Sequence, residues 1–355
     1  MRLTRVCADQ TRPHTPVVLF KRFVMLRRLA NLLAGGYGAL LCAYLLLRLW
    51  RGERSAYVDL LNHVMPGLAL PALPLFLLAL VRGDRARSLL FLPGTLTLLA
   101  QYDTRNRAAV SSTLATGTSR QPITLLTFNL QGQRIHVARL LKLIAAFEPD
   151  ILCFQELTAP VAEALTAALH EQYPYEQVST QGVTIHGIGS YSRFPLRDCE
   201  LIKGDHGHLR ATVMMGANGH EFALYNVHPS PPGGLRNLRG FQPRYRRDEI
   251  EAILSRASQE TLPIVLAGDF NLTDRSADYR RLVRGYVDSF HEAGFGARAT
   301  FPDLGGIAPL LGGGWFGGLR LDYVFHSPEI QSVNARVIPD AAGSDHRPVL
   351  VKLLI

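Results

Sequence analysis

The first hundred residues contain three long apolar runs separated by short clusters of charge. Residues 29–47 carry no charge and have the length that an α-helix needs to cross a bilayer core of ~30 Å. Residues 60–81 contain three prolines, so they are predicted to form a kinked span, because neighbouring groups can satisfy the freed carbonyls. Residues 88–102 are short enough for a re-entrant segment instead. The pattern therefore predicts two or three N-terminal transmembrane helices.

Basic residues flank these runs and predict their orientation. Seven Lys and Arg precede the first run, and three Arg lie between the second and the third, which favours a cytoplasmic N-terminus. With three spans the rest of the chain lies outside the cytoplasm, and with two it lies inside. We expect a multi-pass protein of the cell (inner) membrane whose C-terminal part is extracytoplasmic.

From residue 123 onward, short apolar segments alternate with amphipathic stretches, which predicts an α/β domain. The predicted strands cover 123–128, 151–154, 188–191, 209–215, 221–227, 263–267, 319–325 and 348–354, and the predicted helices cover 135–147, 161–172 and 244–257. The chain thus divides into a basic segment 1–28, a membrane region 29–102, a linker 103–121 rich in Ser, Thr and Ala, and a domain 122–355.

Charge and cysteine content narrow the function classes. Residues 1–119 hold 15 Lys and Arg against 5 Asp and Glu, or +10, so the totals of 38 and 29 leave 23 and 24, or −1, for 120–355. The domain therefore lacks the positive charge of a non-specific nucleic-acid binder. The four cysteines are scattered, so neither a zinc site nor a disulfide framework is predicted.

Polar residues recur where the predicted strands end. They are Asn129, Glu156, His228, Asp269, Asn271, Asp322, Asp345 and His346. In the stretch 263–271 an apolar strand runs into a glycine, and Asp269 and Asn271 follow two residues apart, so both can face one cleft. Each residue alone also suits an ordinary turn, cap or surface position. Their joint occurrence at the strand ends is what indicates a functional site.

These segments resemble the endonuclease/exonuclease/phosphatase superfamily, and the apolar runs before them resemble those of its bacterial membrane-anchored members. The matching segments are Thr-Phe-Asn129-Leu, Phe-Gln-Glu156, Gly-Ile-Gly-Ser-Tyr191-Ser-Arg-Phe-Pro, Tyr-Asn-Val-His228, Ala-Gly-Asp269-Phe-Asn271, Arg-Leu-Asp322-Tyr-Val-Phe and Gly-Ser-Asp345-His346-Arg-Pro. The resemblance implies a four-layer α/β sandwich, in which two packed mixed sheets are flanked by helices. It also implies metal-dependent hydrolysis of a phosphoester.

Oxygen ligands suit a hard divalent cation, so the expected cofactor is Mg²⁺, with Mn²⁺ as an alternative. Glu156 is the best ligand candidate, and Asn129 and Asp345 complete the predicted set. Where some members of the superfamily place an acidic residue, two positions after Asn129, this chain has Gln131. We therefore expect one metal ion rather than two.

His346 is the predicted general base, because imidazole titrates near neutral pH. The resemblance implies that Asp322 orients His346 and that Asp269 positions or deprotonates the attacking water. It further implies that the amide of Asn271 donates to a phosphoryl oxygen. By the same resemblance, His228 binds or protonates the phosphoryl group.

Two segments bear on the substrate. Arg236 and Arg239 follow His228 closely and can grip phosphate, although a solvated helix start explains them equally well. Trp315 and Phe316 lie in a glycine-rich apolar segment that suits a hydrophobic partner. The leading hypothesis is a membrane-anchored hydrolase of a phosphorylated lipid, with the lipid bilayer as its partner. A membrane-tethered nuclease and a catalytically silent scaffold are the alternatives.

Overall fold

A computed structural model describes residues 15–51, 56–106, 120–182, 184, 186–216, 220–232, 242–302 and 318–355. The chain forms two compact units. The helical unit comprises Met1–Trp50 and Leu68–Ala100, and the α/β unit comprises Arg51–Gly67 and Gln101–Ile355. Half of the predicted basic segment (1–14) and most of the predicted linker (107–119) lie outside the described residues.

The N-terminal region contains four helices among the described residues: α1 (Thr15–Arg51), α2 (Ala56–Ala69), α3 (Ala72–Val81) and α4 (Arg85–Asn106). Within the described ranges, one segment, Phe20–Arg51, is long and apolar enough to cross a membrane. Large side chains on it are exposed, among them Leu40 and Leu49. The predicted second span is divided between α2 and α3 at a turn that includes Pro71, so α3 alone is too short to span. One candidate membrane helix is therefore supported rather than several.

The α/β unit contains two six-stranded mixed sheets. The first sheet has the order β11-β12-β1-β2-β4-β3, formed by Gln331–Val337, Val349–Leu354, Pro122–Asn129, Ile151–Gln155, Ile188–Ser192 and Tyr175–Ser179. The second has the order β5-β6-β7-β8-β10-β9, formed by Leu196–Ile202, His208–Met215, His220–Val227, Ile264–Asp269, Asp322–His326 and Val287–Asp288. Each sheet has one parallel pair at its centre, β1 with β2 and β7 with β8.

Helices cover the outer face of each sheet. They are α5 (Val137–Phe147) and α6 (Ala159–Leu169) on the first sheet, and α7 (Pro243–Ala257) and α8 (Ala277–Leu282) on the second; α9 (Ser289–Ala293) follows β9. Alternation along β2 explains the layers, since Leu152 and Phe154 pack under the helices while Ile151 and Cys153 enter the core between the sheets. The predicted four-layer α/β sandwich is confirmed.

A pair of buried amides joins the two sheets inside this core. Gln155 at the end of β2 donates from Nε2 to Oδ1 of Asn226 on β7 at 2.7 Å. The amide of Asn226 in turn donates to the carbonyl oxygen of Gly189 on β4 at 2.9 Å. Both amides are fully buried, so these hydrogen bonds fix which residues of the two sheets face each other.

The α/β unit also includes most of α2, which is held by a buried charge cluster. Arg246 on α7 is fully buried, and its Nη2 lies 3.1 Å from Oδ2 of Asp59 and 3.3 Å from Oδ2 of Asp278. Its Nη1 donates to the carbonyl oxygen of Asn271 at 2.8 Å. A residue far from the domain in sequence therefore contributes to the support of Asn271.

Candidate active site

Polar side chains gather where strands of the two sheets end. Asn129 closes β1 and pairs with Gln155 on β2, which places the next residue, Glu156, beside it. In the second sheet, Asp269 closes β8 directly opposite Asp322, the first residue of β10. The two groups meet because Nδ2 of Asn129 donates to Oδ2 of Asp269 at 3.0 Å. The sandwich thus forms one cluster from both sheets.

A tight turn after β8 orients Asp269. Gly268 has a φ of +151°, and a Cβ at this position would lie 1.9 Å from the carbonyl oxygen of Val227. Only glycine fits there. Asn271 then adopts a φ of +50°, and its N–H donates to Oδ1 of Asp269 at 2.9 Å. This Asx turn holds the carboxylate in the cleft.

Asn129 connects the acidic groups. Its amide nitrogen donates to Oε1 of Glu156 and to Oδ2 of Asp269, both at 3.0 Å. Its Oδ1 accepts the N–H of Gln131 at 3.0 Å. Because the side chain is fully buried and bonded on both ends, its position is fixed.

The loop before β12 brings His346 to the same place. The Ser344 hydroxyl donates to the carbonyl oxygen of Asn129 at 2.8 Å and accepts the N–H of His346 at 3.0 Å. Nδ1 of His346 lies 2.9 Å from Oδ2 of Asp322, and Nε2 lies 3.7 Å from Oδ2 of Asp269. The imidazole is therefore held between two carboxylates.

This arrangement changes the protonation of both partners. Although burial opposes a charged imidazole, the carboxylates of Asp322 and Asp269 raise the pKa of His346 to about 10. Burial raises the pKa of Asp269 to about 7, although the nearby imidazole of His346 works in the other direction. At neutral pH, His346 carries a positive charge and Asp269 can accept or release a proton.

His228 follows β7 and completes the cluster. Its Nε2 lies 3.7 Å from Oδ2 of Asp269 and 3.9 Å from Oε1 of Glu156. Burial, reinforced by the neighbouring imidazoles of His206 and His208, lowers the pKa of His228 well below its usual value. Its backbone N–H donates to Nδ1 of His208 at 3.1 Å. His228 is thus a neutral imidazole beside two carboxylates.

Residues 126–346 match the model of the Endonuclease/Exonuclease/phosphatase family, which covers more than half of the chain and the whole cluster. The chain belongs to this family. Members of the family hydrolyse phosphoester bonds and generally use divalent metal ions. The predicted superfamily is confirmed.

Known relatives share this domain at low identity. Recombination repair protein 1 of Drosophila melanogaster is 25% identical over 263 residues, covering 64% of this chain and 36% of that protein. The chain thus aligns with little more than a third of this relative's length. Among solved structures, D. rerio TDP2 complexed with a single-strand DNA product has a TM-score of 0.53 and 18% identity over 66% of this chain and all of that one. A mannosyl-6-phosphatase of Bacteroides thetaiotaomicron has a TM-score of 0.50 and 18% identity over the same shares. These structures show the common fold.

The family's use of a divalent metal fits the oxygen groups of this cluster. Burial raises the pKa of Glu156, and the carboxylates of Asp345 and Asp322 raise it further, against the opposing effects of Asn129 and His346. A cation would remove this penalty on the charged form. Position 131, which is acidic in some family members, carries an amide in this chain. Nε2 of Gln131 donates to Oδ2 of Asp345 at 3.0 Å.

A hydrogen bond to the backbone holds the side chain of Asn271 in place. Its Nδ2 donates to the carbonyl oxygen of Pro229 at 2.9 Å, which uses one of its two amide hydrogens. The second hydrogen remains for a ligand. The side chain thus joins the turn after β8 to the loop that follows His228.

The structure brings together all of the predicted site residues that it describes. These are Asn129, Glu156, His228, Asp269, Asn271, Asp322, Asp345 and His346. The four predicted substrate-binding residues, Arg236, Arg239, Trp315 and Phe316, lie outside the described residues.

Some supporting residues were not predicted from the sequence. Ser344 and Arg246 each fix a predicted residue through one or two hydrogen bonds, but neither has a distinctive sequence spacing. His206 and His208 had a weak signal, because two histidines separated by one residue lie on the same side of an extended segment.

Proposed function

We propose that the protein is a membrane-anchored, metal-dependent hydrolase that cleaves a phosphoester or pyrophosphate of a lipid-linked substrate. The observation that carries the reaction class is the hydrogen-bonded His346–Asp322 pair, which lies beside Asp269 in a cluster that includes Glu156. In this proposal Glu156, Asn129 and Asp345 hold a Mg²⁺ ion.

We propose the catalytic roles from the contacts of the cluster and the direction of the pKa shifts of Asp269 and His346. Asp269, with a pKa near neutrality, accepts the proton of the attacking water. His346 is already protonated, so it donates a charged hydrogen bond to a phosphoryl oxygen, and Asp322 keeps its proton in place. This division differs from the sequence-based expectation that His346 is the base. A cation held by Glu156, Asn129 and Asp345 would neutralise the charge that develops on the phosphoryl and leaving oxygens.

The lipid part of the proposal rests on the N-terminal region. The segment Phe20–Arg51 has the length and composition of a membrane anchor, and its large apolar side chains are exposed. The domain that follows has a net charge of −1 by count over 120–355, which is weak attraction for a polyanion. A membrane anchor keeps the hydrolase domain close to the phosphate groups of lipids at the bilayer surface. A lipid-linked substrate therefore accounts for the anchor.

We propose the side of the membrane on which the α/β unit lies from the Asp59–Arg246 pair. Asp59 lies after α1 in the chain and is buried against α7 of the α/β unit. If α1 crosses the bilayer, Asp59 and the α/β unit lie opposite the N-terminus. Seven Lys and Arg precede the uncharged run 29–47 and favour a cytoplasmic N-terminus, so we place the hydrolase domain outside the cytoplasm. Reporter fusions at residue 121 and at the C-terminus test this placement, and cytoplasmic signals from both would contradict it.

A nuclease is the second candidate, favoured by the DNA product bound to D. rerio TDP2 and by the name of the Drosophila relative. The experiment is to purify the full chain in detergent and supply Mg²⁺ or EDTA. Its substrates are phospholipids, a polyprenyl pyrophosphate, plasmid DNA and single-stranded DNA. We expect Mg²⁺-dependent release of phosphate or a phosphorylated headgroup from a lipid, and little DNA cleavage.

Two variants make the assay decisive. Asp269→Asn keeps the size of the side chain but removes the proton acceptor, and we expect about a 10²- to 10³-fold loss of kcat. Glu163→Ala changes an exposed acid on α6 and should leave the rate unchanged. DNA cleavage without lipid turnover would contradict the lipid-linked substrate and support the nuclease instead. Equal rates for Asp269→Asn and Glu163→Ala would refute the assignment of the site.

A further inference from the structure

Three imidazole rings form a row that leads from the surface to the candidate active site. His186 stacks on His206 with ring centroids 4.6 Å apart and planes at 9°. His206 lies against His228 with centroids 4.3 Å apart and planes at 37°. Exposure decreases along the row, because His186 is half-buried, His206 is 8% exposed and His228 is 1% exposed. Only the innermost ring, that of His228, belongs to the cluster of the candidate active site.

An acidic residue lies at the outer end of the row. Oδ2 of Asp205 is 3.7 Å from Nε2 of His206. His186, Asp205 and His206 each present one ligand atom, and the three atoms lie within 4.8 Å of one another. The backbone there is anchored, since the N–H of Asp205 donates to Oε1 of Glu249 on α7 at 2.7 Å. Glu249 also accepts the N–H of Ser230, so the loop is tied to the rim of the site.

Ring nitrogens of the row are left without hydrogen bonds. Nδ1 of His206 and both ring nitrogens of His228 are buried and have no hydrogen-bond partner among the described residues. Nε2 of His206 faces Asp205, and when Nδ1 carries the ring proton this nitrogen keeps a lone pair for a cation. Stacking on His186 accounts for the ring position of His206, but it does not account for the carboxylate of Asp205 beside Nε2 of the same ring.

The donor set has a definite metal chemistry. Two imidazoles and one carboxylate are the ligands of many open zinc sites, whereas Mg²⁺ prefers oxygen alone. With metal–ligand distances of ~2.1 Å, neighbouring ligands of a tetrahedral zinc ion are ~3.4 Å apart. The Asp205–His206 distance of 3.7 Å is already close to this value. Side-chain rotation of His186, which is half-buried, and Asp205, which is exposed, closes the rest.

We propose that His186, Asp205 and His206 bind a transition-metal ion of the Zn²⁺ type, separate from the Mg²⁺ group at Glu156. The fourth coordination position is open to water. The ion fixes the ring of His206, the packing partner of His228, at the rim of the candidate active site. This inference does not depend on the proposed hydrolysis.

The test uses the full chain in detergent, purified through a tag without histidine and stripped of metal with EDTA. Saturating Mg²⁺ occupies the oxygen ligands while Zn²⁺ is titrated against a chromogenic chelator. We expect one Zn²⁺ per chain, and at least tenfold weaker binding in both His186→Ala and Asp205→Asn. Co²⁺ gives a second readout, because its visible absorption on binding nitrogen ligands should disappear in the same variants.

His170→Ala is the matched control, because His170 is exposed at the end of α6 and far from the row in sequence. Circular dichroism checks that each variant is folded, and if His186→Ala is not, Asp205→Asn decides alone. Zn²⁺ affinity that is equal in Asp205→Asn and His170→Ala overturns the proposal. Binding that is lost in Glu156→Gln but kept in Asp205→Asn also overturns it, because the ion then belongs to the candidate active site.

Discussion

Asp322 controls the charge of the candidate site through one hydrogen bond to His346. The pKa of His346 is raised above the unfolded value of about 6.5 to about 10. Between about pH 6.5 and pH 10 the folded state therefore binds one proton more than the unfolded state. The stabilisation from this proton is complete below about pH 6.5 and is lost as the pH rises to about 10. Metal-free protein should become less stable over this range.

Asp322→Asn removes the carboxylate and should flatten this dependence while lowering the stability near neutral pH. Thermal unfolding in EDTA, followed by circular dichroism between pH 6 and 10, measures both effects. Asp340→Asn, which changes a half-exposed carboxylate nearby in sequence, is the control. A wild-type curve that is flat over this range, or one that keeps its slope in Asp322→Asn, would argue against the charged pair.

His208 should produce the opposite pH dependence. Burial and the neighbouring His206 lower the pKa of His208 to about 3, and its Nδ1 must stay unprotonated to accept the N–H of His228. Below the unfolded pKa of about 6.5 the unfolded state binds the additional proton. Stability is therefore lost as pH falls, by up to about 1.4 kcal/mol per pH unit.

Urea unfolding between pH 4 and 7 tests this prediction. His208→Asn keeps an acceptor near the position of Nδ1 but does not titrate, so its stability should depend less on pH. His170→Ala, which removes an exposed histidine, should retain the wild-type slope. Identical slopes for His208→Asn and the wild type would show that His208 titrates normally.

At the level of single residues, the sequence was informative wherever a strand placed a side chain. Asn129, Glu156, Asp269 and Asp322 sit at strand ends, so their convergence follows from topology. Their protonation did not follow, because the pKa of His346 depends on distances to two carboxylates from different segments. Sequence spacing contains no such distances, so the sequence alone cannot decide whether His346 or Asp269 takes the proton of the attacking water.

At the scale of the elements, β8 depends on a single glycine. Gly268 has a φ that other residues adopt at a cost, and a Cβ would collide with the backbone of β7. We expect Gly268→Ala to lower the free energy of unfolding by about 3 kcal/mol or more, because the strand must move away from its parallel neighbour. Denaturant unfolding measures the change.

Gly285→Ala is the control for this substitution, since nothing lies within 4 Å of its added Cβ and its φ is not positive. Its stability should stay within about 0.5 kcal/mol of the wild type. Equal losses in the two variants would contradict the packing that the structure shows at β8.

The predicted strands and helices correspond to β1, β2, β4, β6, β7, β8, β10, β12, α5, α6 and α7, with shifts of a few residues at their ends. The 319–325 strand, for example, begins only at Asp322. The missed strands β3, β5, β9 and β11 are the edge strands of the two sheets. Exposed residues break the apolar pattern of β3, β5 and β11, and β9 has only two residues. Their pairing comes from the neighbouring strand, so a local pattern cannot reveal it. The short helices α8 and α9 have too few turns for a periodic signal.

At the scale of the whole molecule, the α/β unit extends beyond the domain that the sequence marks out. Asp59 belongs to α2, yet it pairs with the fully buried Arg246. Among the described residues, Asp59→Ala leaves Asp278 as the carboxylate paired with Arg246. We expect a loss of about 1–3 kcal/mol of stability, because a buried charge loses one of its two carboxylates.

Unfolding of the full chain with and without the substitution measures this loss, and a fragment starting at residue 120 should show a similar deficit. Arg139→Ala is the control, because it breaks the exposed Arg139–Asp340 pair and should cost less than about 1 kcal/mol. A fragment as stable as the full chain would mean that α2 adds nothing to the domain.

The buried amides of Gln155 and Asn226 have a consequence for recombining this domain with its relatives. Gln155 directly precedes Glu156 and Asn226 lies two residues before His228, so the amide pair underlies residues contributed by both sheets. A chimera whose crossover separates positions 155 and 226 inherits half of the pair and leaves an amide unsatisfied in the core. Shuffled libraries should therefore be enriched, among folded members, for chimeras in which both positions come from the same parent.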